Sequence, residues 1–119
     1  MVTYTTAAIV KKRSNFIDTT NLSDTDIETN IEIAEGIVDA IMGKTGRGAS
    51  PDFTFDASKH GPIRELTTCL ATFMCITFNP EKFTSSSTAA LTGDFLWAEI
   101  ERLITLLSDK RFVEYLTSL

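Results

Sequence analysis

Apolar residues recur along this chain at helical spacing in separate blocks, and polar runs mark where the blocks stop. Ile27, Ile31, Ala34, Val38 and Ile41 follow one another at intervals of four, three, four and three, with Ile37 widening the stripe, so they share one face of a helix. Ser23, followed three residues later by Asp26, resembles a capping box with Asp in place of the usual Glu or Gln. It opens this helix, which is expected to end after Met42 at Gly43. Behind Pro62, which suits the first turn of a helix, Ile63, Leu66, Leu70, Phe73, Met74 and Thr77 repeat in the same way up to Phe78. Residues Thr67 to Phe78 carry no charge, which predicts a central helix covered on most sides. Asn79-Pro80 stops it. Leu91, Phe95, Leu96, Ile100, Leu103, Ile104 and Leu107 predict the buried stripe of a further helix over 91–107, bordered by Trp97 and Ala98.

The remaining segments are shorter. From Tyr4 to about Ser14, Thr5 or Thr6 can cap a short helix built on Ala7, Ala8, Ile9 and Val10, with Lys11-Lys12-Arg13 at the negative end of its dipole. Asp18-Thr19-Thr20-Asn21 has turn chemistry, and Thr84 to Thr88 reads as a polar loop. Gly43 to Gly61, 19 residues rich in Gly, Ser, Asp and Pro, predicts a long loop, and the alternation Phe53-Thr54-Phe55 leaves room in it for a short β-ribbon. Loops of that length are uncommon in a compact domain unless they are functional, which makes this one a candidate contact surface. In the tail, 108–119, Phe112, Tyr115, Leu116 and Leu119 would share one helical face, and so much apolar surface needs a partner, internal or external. The expected fold is all-α: one four-helix bundle-like domain over 1–119, with a long loop between the second and third helices and a short C-terminal tail.

Charge changes the picture in one place. The chain of 119 residues is large enough for a core without disulfides or metal, and its net charge of -5 gives it no footprint for sequence-specific nucleic-acid binding. Between Ser23 and Met42 stand Asp24, Asp26, Glu28, Glu32, Glu35 and Asp39, with no base among them. The first acids suit the positive helix N-terminus, whereas Glu32, Glu35 and Asp39 gain nothing from the dipole and repel one another. They are either a solvated face or a surface that has to stay negative.

Catalytic and metal chemistry finds few starting points. His60 is the single histidine, on a Gly-flanked loop beside Lys59, and Cys69 and Cys75 stand six apart in an apolar stretch as expected buried thiols. One His and two cysteines at that spacing do not make a zinc set. Gly43-Lys44-Thr45 is not a phosphate loop, because Val38 stands where that motif requires Gly. The acids lack an apolar pocket to raise a pKa. The expectation is no enzyme, no cofactor and no metal. No apolar run reaches the roughly 18 residues of a membrane span, and Met1 to Thr6 lack the pattern of a signal peptide, so the expected place of synthesis is the cytoplasm.

The order of these features is similar to a known family. Tyr-Thr-Thr-Ala-Ala-Ile-Val-Lys-Lys-Arg at the start, Leu22-Ser23-Asp24-Thr25-Asp26-Ile27 opening an acidic amphipathic helix, a long loop, Gly-Pro-Ile-Arg-Glu-Leu opening the next helix, and a final amphipathic helix with a short tail together resemble the small head-to-tail adaptor, or connector, proteins of tailed bacteriophages and related gene-transfer particles. The resemblance covers roughly residues 4–107 and rests on pattern and helix order. Many family members have a more basic final helix or a longer C-terminal arm than this chain.

The resemblance implies a helical bundle that assembles with copies of itself into a ring, commonly of twelve, beneath the portal protein of the filled capsid. Such a ring extends the DNA channel and meets a stopper or tail-completion protein, and its place is the virion, after assembly in the host cytoplasm. Carried onto this sequence, Phe112, Tyr115, Leu116 and Leu119 become portal-docking candidates, and Phe53 and Phe55 candidates for contact with a neighbouring subunit or the next ring. Glu28, Glu32, Glu35 and Asp39 become candidates for a channel lining that lets DNA pass without holding its phosphates. The competing reading is a small acidic regulatory protein that mimics nucleic acid or inhibits a DNA-binding partner.

Overall fold

A computed structural model describes residues 4–13, 23–44, 55–78 and 86–118. Among these, five helices carry the chain: α1 (Ala7–Arg13), α2 (Asp24–Lys44), α3 (Gly61–Phe78), α4 (Ser86–Leu107) and α5 (Lys110–Thr117). The fold is all-α, as the spacing predicts. The tail is a fifth helix, and α4 begins at Ser86, so that Ser86, Ser87 and Thr88 belong to it and not to a loop. Gly43 and Lys44 likewise continue α2 two residues past the expected stop. No strand occurs among the described residues; Phe55 lies outside any regular element, and Phe53 is beyond the described residues.

The helix starts are set by local chemistry. Thr6 caps α1, its hydroxyl accepting from the Ile9 N–H at 3.3 Å. Ser23 caps α2, accepting from the Asp26 N–H at 3.2 Å, the contact its spacing predicts. The carbonyl of His60 accepts from Ile63 and Arg64 as α3 begins. Before it, a turn forms in which the Asp56 carboxylate accepts from the Ser58 N–H at 2.9 Å and the Asp56 N–H donates to His60 Nδ1 at 2.9 Å. Asp109 caps α5, accepting from Arg111 N–H at 2.9 Å and Phe112 N–H at 3.3 Å.

The central place of α3 follows from its sequence. It packs against α1, α2 and α4, while α5 rests on α4. Ile63, Leu66, Cys69, Leu70, Ala71 and Cys75 are buried on it, together with Thr67, Thr68 and Thr72. Those hydroxyls are tolerated inside because each donates to the carbonyl four residues back, at 2.7–2.8 Å, and leaves no buried donor in want of an acceptor. From α2 the core receives Ile27, Ile31, Ala34, Val38 and Met42. Each fully buried aliphatic side chain of this size contributes about 2 kcal/mol of transfer free energy. From α4 come Leu96, Ile100, Leu103 and Leu107.

Cross-contacts fix the directions. Lys11 pairs with Asp24 at the start of α2, and Tyr4 meets Glu35 and Asp39 towards its end, so α1 runs antiparallel to α2. Asn30 donates to Cys75 Sγ at 3.3 Å near the end of α3, while Tyr4 links the far half of α2 to Arg64 near its start, which makes α2 and α3 antiparallel. Among the described residues, no helix is long and apolar enough to cross a membrane.

Candidate functional site

The densest polar constellation gathers around Tyr4, before α1. Its N–H donates to Glu35 Oε2 at 2.6 Å, its phenol donates to Asp39 Oδ1, and its carbonyl accepts from Arg64 Nε at 2.9 Å. Its ring packs against Phe55 at 5.0 Å between centroids, tilted by 55°. The Arg64 guanidinium lies over the other ring of this pair, 5.6 Å from the Phe55 centroid, and His60 stands 5.9 Å from it. Tyr4 thus gathers α2, α3 and the turn before α3 at one junction.

This junction corrects two expectations. Glu35 is buried and Asp39 half-buried, and both face Tyr4, so neither belongs to an open acidic face. The reason is their place on α2. Glu35 follows the buried Ile31 by one turn and Asp39 follows Glu35 by another, which sets both on the border of the core stripe where α1 lies. Phe55, a candidate for contact with a neighbour, is likewise engaged inside the chain. On the exposed acidic surface stand Asp24, Asp26, Glu28 and Glu32, with Asp24 paired to Lys11.

The C-terminal helix divides its apolar residues. Val113 and Leu116 are buried against the bundle, Phe112 is half-buried against it, and Tyr115 is 62% exposed. Of the proposed docking residues, Leu116 and most of Phe112 therefore serve the chain's own core, Tyr115 faces outward, and Leu119 lies outside the described residues. The face centred on Val113 is buried where α5 rests on α4.

Two apolar surfaces depart from the sequence expectation. Phe95, placed by spacing in the buried stripe of α4, is 73% exposed. Ile37, expected to widen the core stripe of α2, is 38% exposed and lies beside Ile33 at 49%. Thr29, Ile33, Gly36, Ile37 and Ala40 share this outer face of α2, which carries no charge between Thr29 and Ala40. Trp97 rests its ring on Phe73 at 5.4 Å.

A second charged junction closes the other end of α1. Arg13 pairs with Glu65 and lies 3.7 Å from Cys69 Sγ. The hydrogen bond from Arg13 holds the Glu65 carboxyl below its ordinary range, and the same bond raises Arg13. Burial, reinforced by the Glu65 charge, pushes the Cys69 thiol up to about 12. Burial also raises Cys75. Both thiols are free and buried, as the sequence suggests, and a protonated buried thiol is a poor nucleophile. On Asp56, hydrogen bonds from Ser58 lower the carboxyl pKa.

Sequence reasoning missed Tyr4 and Arg64 as junction residues. The available signal was the position of Glu35 and Asp39 at the edge of the core stripe, where an acid needs a donor. Comparison with protein-family models, with curated proteins and with solved structures finds no match.

Proposed function

We propose that this chain is a structural head-to-tail adaptor of a tailed virus particle, a ring component without catalysis that sits beneath a portal, extends its DNA channel and connects it to the tail. The observation that carries this reading is the distribution of exposed apolar side chains over three helices: Ile33 and Ile37 on α2, Phe95 and Trp97 on α4, and Tyr115 on α5. Large apolar groups left in water on several elements at once suit a subunit with more than one neighbour. A ring member needs a copy on each side and a different partner above or below.

Within this reading, Tyr115 on the capped helix α5 is the portal-facing candidate. Glu28 and Glu32 are the channel-facing acids, since Glu35 and Asp39 are engaged with Tyr4. Repeated around a ring, two acids per copy make a wall that repels phosphates within about 8 Å, the screening length at physiological salt. DNA passes it without sequence-specific contact. The same engagement of Glu35 and Asp39 narrows the acidic surface available to a nucleic-acid mimic.

The test is co-sedimentation of the purified chain with the portal ring encoded by the same genome, with bound copies counted by native mass spectrometry. Saturation at one copy per portal subunit is the expected result. Absence of binding by the folded protein overturns the reading and turns the search to basic partners of an acidic mimic.

A further inference from the structure

Two exposed features on different helices fit one another in spacing and charge. On α2, Ile33 and Ile37 stand exposed one turn apart with Gly36 beside them, and no atom lies within 4 Å of the point a Cβ on Gly36 would occupy. That is an apolar ridge with open space along one side. On α4, Phe95 is the most exposed large apolar side chain among the described residues. That is a knob.

Each feature carries a charge at the same distance on its own helix. Asp26 precedes Ile33 by seven residues, and Arg102 follows Phe95 by seven. Seven residues are nearly two full turns, so each charge shares the face of its apolar residue, about 10.5 Å away along the axis. Asp26 and Arg102 are both exposed. The charge lies towards the N-terminus on α2 and towards the C-terminus on α4, so only an antiparallel pairing brings apolar group to apolar group and Arg to Asp together.

We infer that α4 of one copy docks antiparallel on α2 of the next, with Phe95 lying over Gly36 against Ile33, and Arg102 paired with Asp26. Both faces point away from the chain's own core, so the contact joins separate copies. It uses different surfaces on the two partners and is therefore heterologous, a contact that repeats into a ring or an open filament. A second α2 on this face would bring no cation to Asp26 and would leave Phe95 in water. Arg102 already reaches Glu99 along α4, with Nε 3.2 Å from Oε2, and a guanidinium with five N–H donors holds both carboxylates. The inference deepens the ring reading above and rests on it for closure into a ring.

The test uses two full-length single variants, Ile33→Cys and Phe95→Cys, since the native thiols Cys69 and Cys75 are buried. Each is oxidised mildly alone and mixed with the other, free at high concentration and again on the portal ring. The expected result is a covalent dimer from the mixture and none from either variant alone. In parallel, Asp26→Arg and Arg102→Asp are each expected to weaken self-association about tenfold, and their combination in one chain to restore it. Dimers from a single variant alone, absence of the mixed dimer in both settings, or a combined variant no better than its parents overturns the contact. A mixed dimer from a protein that ignores the portal keeps the contact and removes the adaptor reading. Portal binding without a mixed dimer does the reverse.

Discussion

The guanidinium of Arg13 donates to both carboxylate oxygens of Glu65, at 2.6 Å through Nη2, and so ties the end of α1 to α3 across 52 residues of chain. The folded-state pKa of Glu65 lies below its unfolded value, chiefly through this hydrogen bond. The stability it supplies is therefore present above the ordinary Glu pKa of about 4.3 and is lost as pH falls through the lower folded value. Because both side chains are partly exposed, Glu65→Gln should cost only about 1 kcal/mol at pH 7. Urea denaturation of the two proteins should show this gap closing at acid pH, and a gap independent of pH contradicts the assignment.

Cys69 gives a prediction of opposite character. With its thiol pushed up to about 12 by burial and the Glu65 charge, the thiolate fraction at pH 8 is on the order of one in ten thousand. A chromogenic disulfide reagent should label native protein no faster than it unfolds, at Cys69 and Cys75 alike. Glu65→Gln removes the lesser cause and leaves burial, so it should not make the folded thiol reactive.

At the Tyr4 junction, ring and hydroxyl are separable. Tyr4→Phe keeps the packing on Phe55 and removes the donor to Asp39, which should cost about 1–2 kcal/mol. Tyr4→Ala removes the ring as well and should cost about 3–5 kcal/mol. Equal losses from chemical denaturation would show that the ring contributes nothing.

Asp109→Ala removes the side chain that caps α5 and should destabilise that helix by about 1 kcal/mol. Hydrogen exchange is the suitable readout, with faster exchange confined to Arg111 through Leu116. Exchange rising across α3 instead would mean that α5 supports the whole bundle.

The legible parts of the fold were those governed by neighbours in sequence. Ser23 capping α2, Thr6 capping α1 and the charge-free run that became the centre of the bundle all follow from local spacing. A helical wheel gives faces but does not say which face a distant element covers. Phe95 and Ile37 lie at stripe edges that no helix covers among the described residues, and Glu35 and Asp39 lie at the edge that Tyr4 covers from 31 and 35 residues away. For the same reason only part of the acidic set was legible as surface. Spacing puts Phe112, Tyr115 and Leu116 on one face whose partner is internal or external, and in the fold Val113 and Leu116 are buried while Tyr115 is exposed, so the buried side centres on Val113.

The acids of α2 therefore predict a division that a uniform charged face would not show. Glu28 and Glu32 are exposed, so replacing both with Lys should leave the urea midpoint of the isolated chain within about 0.5 kcal/mol of the parent. Glu35→Lys instead puts a buried cation where the Tyr4 N–H needs an acceptor, and should destabilise by about 3 kcal/mol or more. Under the adaptor reading the first variant is also the informative one in particles. It still assembles, but cations now line the channel, attract passing phosphates and slow DNA release. Particles carrying Glu28→Lys and Glu32→Lys that assemble and release DNA at the parental rate would remove these residues from the channel wall while leaving the Tyr4 junction intact.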